Sequence, residues 1–170
     1  MNTCTLTPAQ ANLELIMLNA EANSIPSSNL YLWLRESGLP SEIAIRLRSF
    51  ADTTAQVVGS VVSVGKIVLL RIIDFVKANP HMAIGIAIGG AIGALSSMIP
   101  FLGPYLAPLA IAVGATLGAV AGHRSDKIAK GDVVNTGLIA VAQDIIEIAK
   151  EFFTLIIDIF NIVFQGKQAI

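Results

Sequence analysis

Polar positions are spread unevenly along this chain, and their spacing predicts its elements. From Ser41 to Lys77, polar residues such as Arg46, Ser49, Thr53, Gln56, Ser60, Ser63 and Asp74 recur mostly at intervals of three and four. At ~100° per residue they share one side, which predicts a long amphipathic helix over 41–79. Ser41 after Pro40 is its expected N-cap, and Asn79-Pro80 is its stop. The C-terminal segment 124–170 predicts a second amphipathic helix, running from Asp132 to Gln165. In it Thr136, Gln143, Asp144, Glu147, Lys150, Glu151, Thr154, Asp158, Asn161 and Gln165 fall within an arc of roughly 120°, and apart from Asn135 near the start the rest is apolar, including Phe152, Phe153, Phe160 and Phe164. An apolar arc of roughly 240° is about twice the usual stripe of a surface helix, so neighbours or lipid must cover most of it. Residues 1–40 predict a short helical cap: Pro8 to Ala22 behind Thr7, then Asn29 to Ser37 behind Ser27 or Ser28, ended by Gly38-Leu39-Pro40.

Between these flanks the polar pattern stops. The 46 positions separating Lys77 from Arg124 hold no Asp, Glu, Lys or Arg, and their two histidines, His81 and His123, stand at the margins. Inside this gap Met82–Ile99 and Tyr105–Gly122 are 18 residues each. At ~1.5 Å per residue each arm is about 27 Å long, close to the ~30 Å hydrocarbon core of a bilayer. Pro100, Phe101, Leu102, Gly103 and Pro104 lie between the arms. Two prolines lacking an N–H and a glycine free to take positive φ break any helix there. The segment 80–123 therefore predicts a transmembrane helical hairpin, with Pro100, Gly103 and Pro104 as its turn. An uncharged hairpin wrapped by amphipathic helices resembles the hydrophobic hairpin of pore-forming colicins, which implies insertion of the hairpin from a sheathed state.

Composition supports this reading. Of 170 residues 54% are hydrophobic and 14% charged, against roughly a quarter charged in a typical globular domain. The formal net charge of -1 offers no basic field, so nucleic acid is not an expected partner. Cys4 is the single cysteine, which excludes an internal disulfide and a thiolate metal cluster. Met1 to Ala20 lacks the basic start of a secretory signal and carries Glu14 within its apolar stretch. The run Gly59 to Ile67 is one residue too long for a phosphate loop and puts Ile67 where the magnesium-binding hydroxyl belongs. No nucleophile elbow or zinc-protease motif occurs. Catalysis, a metal and a cofactor are not expected.

Two glycine ladders, Gly85, Gly89, Gly93 and Gly114, Gly118, Gly122, lay a bare groove along each arm. In lipid such grooves let helix backbones approach closely, within one hairpin or between subunits. Asp144, Glu147, Glu151 and Asp158 with Asn161 form a polar stripe that would favour cations if several copies turned it toward an axis, or would be a solvated edge otherwise. Lys77 before the hairpin and Arg124, Lys127 and Lys130 after it place both hairpin ends on the cytoplasmic side. His81 and His123 would then sit at one depth, where protonation near pH ~6 could act as a switch. Whether 57–76 adds a third span is set by Lys66, Arg71 and Asp74, since a central charge costs roughly 2.5–3.5 kcal/mol on insertion. The expectation is an all-α integral membrane protein, a homo-oligomer in the lipid bilayer that forms a pore or channel. The alternatives are a silent scaffolding or pilin-like subunit, which docks a protein partner through its amphipathic helices, and an effector with a sheathed colicin-like hairpin.

Overall fold

The computed structural model describes residues 6–113 and 137–165, with side chains given from 143 onward in the last segment. Among them the chain is all-α apart from one small hairpin of strands. The helices are α1 (Pro8–Ser24), α2 (Ser27–Glu36), α3 (Ser41–Ala51), α4 (Val64–Ala78), α5 (Ile84–Met98), α6 (described over 103–113) and α7 (Gly137–Gln165); β1 (Ala55–Val57) and β2 (Ser60–Val62) lie between α3 and α4.

The start of α1 is fixed locally. The Thr7 hydroxyl accepts the Gln10 N–H at 3.3 Å, Gln10 Oε1 accepts the Thr7 N–H at 2.9 Å, and Pro8 fills the first turn. This is the reciprocal cap expected of a Thr-x-x-Gln start. The helix runs on to Ser24, two residues past the expected Ala22. Pro26 opens α2, with Ser27 and Ser28 inside its first turn. Gly38, at φ +74°, turns the chain into α3.

The expected single helix over 41–79 is corrected here: it is two helices with a β-hairpin between them. Ser41 is the first helical residue rather than the cap, which is Pro40. The segment 53–64 is rich in Val and Thr, whose branched Cβ favours strands. β1 and β2 pair antiparallel with Ala55 opposite Val62, Gln56 opposite Val61 and Val57 opposite Ser60. Val58 (φ +47°) and Gly59 (φ +78°) make the two-residue turn, whose two positive φ values match the twist of a hairpin. The polar residues before and after this break are nearly in phase, so their period reads through it.

The chain then re-enters at a close approach. The Gly65 N–H donates to the Thr53 carbonyl at 2.9 Å, and the Phe50 carbonyl occupies the space a Cβ on Gly65 would need. Helix α4 is the central element, packed against α1, α3, α5 and α7. It buries Ile67, Val68, Leu69, Ile72, Ile73 and Phe75 and leaves Lys66, Arg71, Asp74 and Lys77 toward the surface. It stops at Asn79 as expected, whose side chain donates to the Phe75 carbonyl at 2.8 Å.

Helix α5 has 15 residues, fewer than the expected arm, because Met82 and Ala83 precede it and Ile99 turns away. At ~1.5 Å per residue it is about 22 Å long. Among the described residues no helix is long and apolar enough to cross a membrane. The break lies at 99–102, and Gly103 and Pro104 belong to the first turn of α6, where proline's missing N–H is harmless. Two rows of phenylalanine fix α7. Phe75 of α4 meets Phe152 and Phe153 at centroid distances of 5.3 and 5.6 Å. Phe101 in the hairpin turn stacks on Phe164 at 4.0 Å and meets Phe160 edge-on at 5.8 Å.

Candidate functional site

The uncharged hairpin is the part of the chain that composition singles out. Its first arm is enclosed: α5 buries Ala87, Ile88, Ala91, Ile92, Ala94 and Leu95, each fully hidden. Burying an Ile or Leu side chain contributes roughly 1.5–3 kcal/mol, and no buried polar or charged residue occurs among those described. The sheath of α5 is α7 on one side and α4 on another.

Close packing in this contact comes from a glycine outside the ladder. A Cβ on Gly90 would lie 2.5 Å from Cγ2 of Ile145, so α7 rests against bare backbone there. Gly93 gives only an ordinary contact with Ile146, at 3.9 Å, and nothing lies within 4 Å of a Cβ placed on Gly85. Gly85, Gly89 and Gly93 are all half-buried. Only the doublet Gly89-Gly90 could have pointed to the true contact, since a four-residue period selects one phase and passes over its neighbour. Gly114, Gly118, Gly122 and His123 lie outside the described residues, as do Arg124, Lys127 and Lys130. His81 is exposed beyond the end of α4.

The second arm has the opposite environment. Helix α6 buries Leu106, Leu109 and Val113 while exposing Pro104, Tyr105, Ala107, Pro108, Ala110 and Ile111. Tyr105 is 52% and Ile111 72% exposed. Among its described residues the outer face carries no charge and one hydroxyl, whereas an ordinary surface helix is polar on that side.

The acids of α7 all face outward. Asp144, Glu147, Glu151 and Asp158 are exposed and Asn161 is half-buried, accepting from the Gln165 amide at 3.2 Å. Among the described residues none of the four carboxylates is in an ion pair. Beside them Ile148, Phe152 and Leu155 are 41–52% exposed. The cover required by the wide apolar arc is thus supplied by α5, α1 and α4 on most sides and left open on one.

The period of the sequence gives no hint of two further features. A groove of about 400 Å³ lies between α1 and the strands, bordered by Leu15, Ile16, Val57, Val58 and Val62. Polar side chains of α1 also reach β2 and α4 across more than 40 residues of sequence. No protein family, curated protein or solved structure matches the chain.

Proposed function

We propose that this chain is a membrane-inserting protein. Its hairpin α5–α6 leaves the helical sheath for a bilayer, and copies assemble there into a pore. The observation that carries this reading is the described part of α6, apolar on its buried and its exposed sides alike. A helix of that kind is stable only when protein or lipid covers it on both faces. The uncharged turn at 99–102 supports it further, since no charge must be dragged into hydrocarbon.

The burial of α5 supports a sheathed state that precedes insertion. Among the described residues its contacts with α7 are apolar, so exchanging α7 for lipid breaks no polar partnership described there. The length of α5, about 22 Å against a ~30 Å core, favours assembly as well, because short spans are accommodated by thinning the bilayer or by oligomerising. In the half-buried row Gly85, Gly89, Gly93, a Cβ on Gly85 would meet nothing within 4 Å and one on Gly93 only an ordinary contact, and such a row suits contact between copies. Asp144, Glu147, Glu151 and Asp158, exposed and unpaired, suit the water side of such an assembly.

Planar-bilayer recording tests the proposal. Discrete conductance steps with cation preference are expected, and the preference should fall when all four acids are replaced together by Asn or Gln. Steps with unaltered selectivity would remove the acids from the lining. Protein that enters the bilayer and stays electrically silent would favour the scaffolding alternative.

A further inference from the structure

Helix α1 joins the body through a buried apolar face and, toward β2 and α4, through a row of polar contacts that the seams around α5 lack. Asn19 Nδ2 donates to the Val61 carbonyl at 3.2 Å, and its Oδ1 accepts the Ser63 N–H at 2.8 Å. The Ser63 hydroxyl donates to Asn23 Oδ1 at 2.9 Å, and Lys66 Nζ donates to the Ile25 carbonyl at 3.3 Å. Arg71 joins Glu21 at 2.8 Å and Asp74 at 3.2 Å. These groups are at or near the surface, where water can replace every bond as it opens.

The position of α1 gives these contacts a consequence. It lies across α4 and α7, the two helices that enclose α5. Its own buried side chains are modest, Ala11, Leu15, Leu18 and Ala22, while Leu13, Ile16 and Met17 are 58–65% exposed on its other side. Once the helix is free, this outer apolar strip, bounded by polar flanks, exchanges water for lipid favourably.

We propose that α1 is a detachable strap: its polar grip on β2 and α4 keeps the sheath over the hairpin closed in water, and its release lets α4 and α7 part. This rests on the membrane-inserting reading above. It locates the opening at the α1–α4 seam rather than at the α5–α7 seam, where Gly90 interlocks with Ile145.

The test fastens the strap reversibly. In the full chain carrying Cys4→Ser, Asn23→Cys and Ser63→Cys are joined by ethanediyl bis-methanethiosulfonate, a short reducible bridge. Dye release from phosphatidylcholine–phosphatidylglycerol vesicles is recorded before and after reductant. Loss of release in the bridged protein, recovered on reduction in the same sample, is the expected result. Equal release before and after reduction overturns the strap and leaves membrane insertion standing. Absence of release from the reduced and the unaltered chain alike overturns both. Asn19→Leu removes two of the bonds without a bridge and should speed release; release at or below the unaltered rate contradicts the strap independently.

Discussion

Gly65 and Gly90 set the closest backbone approaches described in the bundle, and Gly85 sets none, so one residue type separates folding from assembly. Gly90→Leu forces a branched side chain into the space held by Ile145, and overpacking of this kind costs roughly 1–3 kcal/mol. Urea unfolding followed by helical signal should show a lower midpoint for Gly90→Leu. Gly85→Leu, with open space around it, should leave that midpoint nearly unchanged and reduce the oligomer in mild detergent. A reversed pattern would place the ladder in the intrachain seam. Val58 is a third case. A β-branched residue at φ +47° is strained, and it occupies a turn position that favours Asn or Gly. Val58→Asn should therefore raise stability by about 1 kcal/mol, read from the same urea curves. A fall would mean that the exposed valine packs in a way its surroundings do not suggest.

At the scale of elements, stops and starts were legible where side chains act on their own backbone: the Thr7 cap, Asn79-Pro80, and a break around Pro100, although Gly103 and Pro104 already belong to α6. The β-hairpin was not, because Ser49 and Thr53 before it, Ser60 within it and Ser63 after it keep nearly the phase of one helix. Only the cluster of branched residues around Gly59 marked the interruption. The apolarity of the candidate site was plain in the charge-free gap, but its packing was not, since a period cannot say which glycine of Gly89-Gly90 meets a neighbour. The contacts of Asn19 and Glu21 with β2 and α4 span 42 and 50 positions and leave no local trace. The rings at 101, 160 and 164 make an element-level prediction. Phe101→Ala frees the hairpin turn from α7, with a loss of roughly 1–3 kcal/mol in the urea series. The same variant should enter vesicles faster, as followed by flotation. Slower entry would mean that the turn must stay docked for insertion.

The whole molecule joins two kinds of seam. Apolar contacts around α5 draw their strength from water, and that drive disappears when lipid surrounds the helices. Polar contacts at α1 hold best while the molecule is closed. A chain built this way can keep one packing in water and take another in a bilayer, because the helices that must separate share few directional bonds. The absence of charge from α5, the turn and the described part of α6 is what makes the second packing accessible. The most direct test is the position of α6 in the presence of lipid. An environment-sensitive fluorophore on Ala107→Cys, in the Cys4→Ser background, is compared with one on Asp144→Cys, using vesicles with and without acyl-chain quenchers. Insertion of the hairpin predicts that the probe at 107 shifts to the blue and is quenched from within the hydrocarbon, while the probe at 144 stays in water. A probe at 107 that remains in water with vesicles present would contradict membrane insertion by the hairpin.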